Sequence, residues 1–212
     1  VRTQVTLHNY HKGLKPYILE ALRLGYIKEN PYNKFKDVRG QSKERKPLTA
    51  AEVNKIMEAT LSPKLSDVRD LFVFSAHTGL AYSDMARFNY ETDVVFKDEF
   101  PYIDGERLKT GSAFFTPILP PAMDVLKRHR YKLPIISNQK YNDYLHVIEA
   151  QLGIGKSLTS HLARHTFATI ALNKGVPIEV LARMLGHKNI AITQIYAKIL
   201  TTSIERYAAI LR

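Results

Sequence analysis

The chain contains no cysteine. That absence excludes disulfides, thiolate metal sites and a cysteine nucleophile, and it fits a reducing cytosol, the compartment expected here. No run approaches the ~18 consecutive apolar residues of a membrane-spanning helix, so no membrane partner is expected. No secretory pattern follows Val1, and the chain reads as a piece of a longer protein. Internal repeats and low-complexity tracts are also missing. Negative charge is in short supply: 20 Asp and Glu stand against 31 Lys and Arg, a formal net charge of +11. At 212 residues and 45% apolar, the chain can build one good-sized domain plus a fragment. The basic excess favours a polyanionic partner, nucleic acid first. It is concentrated at the front, where residues 1–47 hold a net +7 and the rest only +4.

Val5, Tyr10, Leu14, Ile18 and Leu22 recur at helix-like spacing up to Gly25, and predict a long basic helix, the last of a preceding domain. Asn30-Pro31 to Pro47 reads as a linker carrying Lys34, Lys36, Arg39, Lys43, Arg45 and Lys46. Such a run is either a solvated connection or a strip lying along a DNA backbone. Thr49 to Glu52 is a capping-box pattern opening a helix with Val53, Ile56 and Met57 inward. Leu65 to Ala76 is a more apolar, more deeply buried helix, ended by His77-Thr78-Gly79-Leu80. Ser83 with Asp84 is expected to cap a short helix through Phe88.

Between 93 and 118 the pattern changes. Val94-Val95-Phe96, Tyr102-Ile103 and Phe114-Phe115 are β-branched or aromatic runs broken by turn residues, predicting a small antiparallel sheet of three strands. Arg107 and Lys109, two apart, would share a strand face, with Lys109 at the turn. Helices follow from Pro120 through Arg130 and from Asn142 to Leu152. The predicted class is α+β, mainly helical.

The stretch that organises the chain runs from His161 to Tyr196. Thr159 or Ser160 caps a helix on which His161 and Arg164 share a face, with His165 on the flank. A guanidinium fork beside an imidazole suits a phosphate. Val176-Pro177 opens a second helix, Ile178 to Leu185, which Gly186 ends. His187 follows, and a short apolar stretch, Ile190 to Ile195, leads to Tyr196. A last helix, Ile204 to Leu211, is capped by Thr201 or Thr202.

Taken in order, Thr78-Gly79-Leu80 with Ser83-Asp84, Leu108-Lys109-Thr110-Gly111 on a hairpin, His161-x-x-Arg164, Leu185-Gly186-His187 and Tyr196 resemble the tyrosine recombinases, or phage-type integrases. The resemblance covers residues 48–212 as a catalytic domain, with 31–47 as a basic linker and 1–30 as the C-terminal remnant of a core-binding (SAM-like) helical domain. It implies that Tyr196 attacks a DNA phosphodiester to give a 3′-phosphotyrosine and a free 5′-hydroxyl. Arg164 then clamps the phosphate, His161 binds it and assists proton movement, Lys109 protonates the leaving oxygen, and His187 hydrogen-bonds at the phosphate. His165 and Asp84 support those groups. No cofactor and no metal are implied. The partners implied are double-stranded DNA and further protomers in a synaptic tetramer, and the role implied is integration or excision of a mobile element.

One departure stands out. Where the family carries its first arginine, after Thr-Gly-Leu, this chain has Ala81. Losing one fixed donor costs about 2.7–4 kcal/mol of transition-state stabilisation unless another group replaces it. Arg87 and Arg107 are the candidate replacements, and Arg69 a poorer one. The competing function is a DNA-binding regulator that keeps the fold with impaired chemistry. The bland readings are a solvated Lys109, a helix-ending His187, and a Tyr196 that is only one packed ring among 12 tyrosines.

Overall fold

The computed structural model describes residues 2–40 and 46–197. The chain divides into two units, Val1–Arg45 and Lys46–Arg212.

In the first unit α1 (Gln4–Arg23) buries no side chain of its own. The segment after it packs along it because that segment carries one covered carboxylate. Asp37 accepts from Lys15 Nζ at 2.9 Å and lies 3.0 Å from His8 Nδ1. His11 sits edge-on to Tyr32 and 5.0 Å from the Phe35 ring. Lys34 pairs with Glu29, and Lys36 and Arg39 are exposed. Lys46, in the second unit, is exposed as well, while Lys43 and Arg45 lie outside the described residues.

The second unit begins with α2 (Ala50–Met57), whose capping box forms as expected: Thr49 Oγ1 accepts from Glu52 N, and Glu52 accepts from Thr49 N at 2.7 Å. The centre of the unit is α3 (Pro63–Thr78), packed against α2 and against three later helices, α6 (Pro120–Arg128), α7 (Asn138–Leu152) and α8 (Ser160–Asn173). Leu71, Phe72 and Phe74 are fully buried there, with Ile56, Leu126, Leu145 and Ile148 from neighbouring helices. Asp70, buried on the same helix, is ringed by Arg69, Arg128 and His129 at 2.6–3.0 Å. Burial pushes its pKa up, but the hydrogen bonds from Arg128 and His129 outweigh this and hold it below the usual carboxylate range.

Gly79 ends α3 in the left-handed conformation, φ +75°. A Cβ there would come within 2.6 Å of the Phe167 ring and 2.9 Å of Leu185. Two short helices follow, α4 (Tyr82–Met85) and α5 (Tyr90–Asp93). Here the expected cap is corrected: Ala81 takes the N-cap position of α4, with Ser83 and Asp84 inside the helix. Asp84 is instead drawn into the interior by the backbone N–H of Leu108, 3.0 Å away.

The sheet has the expected three antiparallel strands in sequential order, β1 (Val94–Lys97), β2 (Phe100–Glu106) and β3 (Ala113–Pro117). Ile103, Phe114 and Thr116 face inward. On the other face Tyr102 stacks on Phe115 at 4.8 Å. β2 ends at Glu106, so Arg107 and Lys109 are not strand neighbours but belong to the turn. That turn is closed by hydrogen bonds from Gly111 N to Arg107 O and from Arg107 N to Ser112 O. Helix α6 stops at Arg128 rather than Arg130, because Arg130 and Tyr131 both take positive φ. Helix α7 starts at Asn138, four residues before the expected Asn142, because Ser137 caps it.

Among the described residues, the unit's remaining helices are α9 (Ile178–Met184) and α10 (Ala191–Ala197). A second apolar cluster, Phe167, Ala168 and Ala171 of α8 with Leu181, Leu185 and Tyr196, joins them. The expected helix after Thr201 lies outside the described residues. Among the described residues, no helix is long and apolar enough to cross a membrane.

Candidate active site

Helix α8 supplies the central cation. Thr159 caps it, accepting from Leu162 N, and Arg164 one turn on is only 4% exposed. Its guanidinium donates to Gly79 O at 2.6 Å, to Leu185 O at 2.5 Å, and from Nη2 to His187 Nε2 at 3.0 Å. All three acceptors are uncharged. Burial and the neighbouring charge of Arg107 lower its pKa to about 10, which leaves it charged at neutral pH.

Arg107 arrives from the far side, off the end of β2. Its Nη1 donates to Leu185 O at 2.9 Å, the oxygen that Arg164 also uses. Its Nε lies 2.8 Å from Asp84 Oδ2, an ion pair approached off the N–H axis. The alkyl stem of Arg107 lies over Gly186, where a Cβ would come within 2.7 Å of Arg107 Cγ. Gly186 also takes φ +61°, so its lack of a side chain serves both the turn and the close approach. Arg87 lines the same cleft of about 320 Å³ beside Asp84 and Arg107, but it is exposed. Arg69 is committed to Asp70 and to Ala59 O.

His187 stands between Arg164 and α10, the helix that carries Tyr196. An arginine can only donate, so His187 Nε2 is the acceptor and Nδ1 carries the proton. Nδ1–H then donates to Thr193 Oγ1, 2.8 Å away. Burial, then the charges of Arg164, Arg107 and His161, hold the ring's pKa down at about 4, so the imidazole is neutral at physiological pH.

Tyr196 is 5% exposed. The His165 ring meets it edge-on at 4.8 Å, and the His187 ring lies nearly parallel to it at 6.3 Å. Burial raises the phenol's pKa, with Arg164 and Arg107 opposing the rise and Arg164 hydrogen-bonding the hydroxyl. Arg164, His187, Tyr196, Arg107, Asp84 and His165 are thus drawn together. His161 is exposed on the first turn of α8, close enough for its charge to act on His187. Lys109 is exposed on the β2–β3 turn, outside this hydrogen-bonded group. Three partners escaped the sequence reading: the carbonyls of Gly79 and Leu185, and Thr193. Backbone oxygens leave no residue-type signal. Thr193 had one, since it lies three residues before Tyr196 and so shares its helix face.

Residues 46–202 match the phage integrase family. The chain belongs to the phage integrase family. It is 30% identical to the tyrosine recombinase XerA of Pyrococcus furiosus over 73% of this chain, and it spans only 57% of that relative's length. It is 26% identical to the tyrosine recombinase XerD of Lacticaseibacillus casei, over 87% of this chain and 69% of that protein. The fold is that of the solved phage-type integrases. The Tn1549 transposon integrase in complex with a circular intermediate DNA superposes with a TM-score of 0.70 at 20% identity, over 90% of this chain and 74% of that one. A lambda integrase dimer bound to a COC' core site gives 0.68 at 20% identity, over 86% and 69%.

Proposed function

We propose that this chain is the catalytic portion of a site-specific DNA recombinase that cleaves and rejoins DNA through a phosphotyrosine on Tyr196. One observation carries the reading: two guanidiniums, Arg164 and Arg107, converge on a single carbonyl oxygen beside a buried phenol. Arg164 is buried on neutral acceptors, and Asp84 is the carboxylate placed against Arg107. Two cations against one carboxylate leave net positive charge where a phosphodiester would supply the balance.

The chemistry follows from the groups. Tyr196 Oη attacks phosphorus as the bond to the 5′-oxygen breaks. The phenol gives up its proton, and the leaving 5′-oxygen gains one. His161 is assigned to assist the first transfer and Lys109 to supply the second. Lys109's exposed turn has to bring it to a bound strand. Charge building on the nonbridging oxygens is met by Arg164 and Arg107; His187, with Nε2 accepting from Arg164 and Nδ1–H given to Thr193, orients the clamp and does not itself donate to the phosphate as the family resemblance implied. Each well-placed donor of this kind is worth about 10²–10³ in rate. The bond energy stays in the phosphotyrosine, so rejoining needs no ATP. Arg107 is the guanidinium that stands in for the one missing at Ala81.

The partners proposed are double-stranded DNA and further protomers of a synaptic complex. Residues 1–30 are proposed as the end of a core-binding domain, with the exposed Lys34, Lys36, Arg39 and Lys46 beside the DNA backbone. A mobile element in a cytoplasmic host is the proposed setting. The test is incubation with duplexes that the protein itself selects from a random pool, nicked to trap intermediates. A protein–DNA band stable to denaturant and a released 5′-hydroxyl are expected. Tight binding with no such band would favour the regulator reading instead.

A further inference from the structure

The hydroxyl of Thr193 is fully buried on α10, and of that helix's side chains described here only Thr193 and Tyr196 are buried. Ala191, Ile192, Gln194 and Ile195 are exposed. The nucleophile helix is therefore seated by two side chains on one face, a phenol and a threonine three residues before it. Thr193 Oγ1 receives Nδ1–H of His187 at 2.8 Å, and Nε2 of the same ring receives Arg164 Nη2 at 3.0 Å. The ring is a rigid link with one end on the phosphate clamp and the other on the helix that carries the attacking group. Its direction is fixed by chemistry, because Arg164 has no acceptor to offer.

We propose that Thr193 is a positioning residue: by accepting the Nδ1–H that Arg164 imposes on His187, it holds the imidazole against α10 and sets the register of Tyr196 against the clamp. This rests on the reading of Tyr196 as the nucleophile, but its first consequence does not. Remove the hydroxyl, and Nδ1–H loses its partner. The proton cannot move to Nε2, where it would face an arginine N–H donor to donor, so Nδ1–H is left unpaired and the ring loses its hold on α10. The clamp and the nucleophile helix lose their common reference. DNA affinity, set by many phosphate contacts, is left nearly untouched.

The test uses the whole chain as wild type, Thr193→Val and Thr193→Ser. Nitrogen-resolved NMR of the imidazoles in the DNA-free protein at pH 7 should give His187 as the Nδ1–H tautomer throughout, with its Nδ1 proton protected from solvent exchange in wild type and Thr193→Ser and exchanging rapidly in Thr193→Val. Single-turnover adduct formation should fall in Thr193→Val by at least about tenfold, toward the roughly 10²-fold that misplacing reacting groups by about 1 Å costs, with Kd for DNA within about twofold of wild type. Thr193→Ser should restore the rate. An Nε2–H His187 in the wild-type protein would overturn the proposal without any variant, even should Thr193→Val fail to fold. So would a Thr193→Ser variant as slow as Thr193→Val, which would assign the role to the methyl group. If the wild-type protein makes no adduct at all, the recombinase reading fails, and exchange of the His187 Nδ1 proton still decides whether Thr193 holds the ring.

Discussion

Arg107 and Arg164 donate to the same atom, the carbonyl oxygen of Leu185, from 2.9 and 2.5 Å. They come from different elements, one off the end of a strand and one from the buried face of α8. Arg107→Ala should lower the rate of strand cleavage by about 10²–10³, the worth of one fixed donor at a developing oxyanion. Arg107→Lys should recover little, since a point charge cannot hold Asp84 and Leu185 together as a fork does. Arg87→Ala, at an exposed position, should cleave at close to the wild-type rate. Single-turnover cleavage of the same nicked duplex by all three variants makes the comparison. Equal activity of Arg107→Ala and wild type would leave the gap at Ala81 unfilled.

Gly186→Ala tests the same arrangement from the backbone side. The new methyl would sit 2.7 Å from Arg107 Cγ and 3.1 Å from Phe114 Cβ, at a residue with φ +61°. The left-handed conformation alone costs a residue with a side chain about 1–2 kcal/mol, and the contact must push Arg107 off Leu185. A modest fall in melting temperature is expected together with a cleavage loss approaching that of Arg107→Ala. Chemical denaturation and cleavage, measured on one preparation, separate the two effects.

His187 sets a pH dependence whose sign can be worked out. Its folded pKa is about 4, while an unfolded histidine titrates near 6.5. Between those values the unfolded chain binds more protons, so stability falls as the pH drops from about 6.5 to about 4 and is fully kept above that window. His77, also held down by burial, adds to the effect with the same sign. His187→Gln should therefore lose less stability than wild type between pH 7 and pH 4.5 in urea titrations. An unchanged slope would mean that His187 is not depressed in the folded protein.

Tyr141 is completely buried, and its hydroxyl finds no hydrogen-bond partner among the described residues. Leaving such a group unpaired costs about 1–3 kcal/mol. Tyr141→Phe, which keeps the ring against Tyr82, should raise unfolding free energy by about 1 kcal/mol and leave cleavage unchanged. Equilibrium denaturation decides the sign.

Much of this arrangement was legible in the residues. The capping box at Thr49 and the three strands follow from local chemistry and spacing, which a single chain displays; Arg164, His187 and Tyr196 were picked out as one set by the resemblance to the tyrosine recombinases. Arg107 was one of two candidates, and only the third dimension separated them, because whether a side chain reaches Leu185 depends on where β2 ends. Asp84 was read both as part of a helix cap and as a support for basic neighbours; the cap is not made, because its partner, the N–H of Leu108, lies 24 residues away. Thr193 went unseen because a buried threonine looks like any other until its acceptor role is paired with the ring that needs it.

The central claim is that Tyr196 becomes covalently joined to DNA while Arg164 and Arg107 hold the phosphate. Its most direct test is proteolysis of the trapped protein–DNA complex, followed by mass spectrometry of the peptide that retains nucleotide. The account predicts a 3′-nucleotidyl group on Tyr196 and no adduct from Tyr196→Phe. Nucleotide on any other residue, or an adduct that survives in Tyr196→Phe, would contradict it.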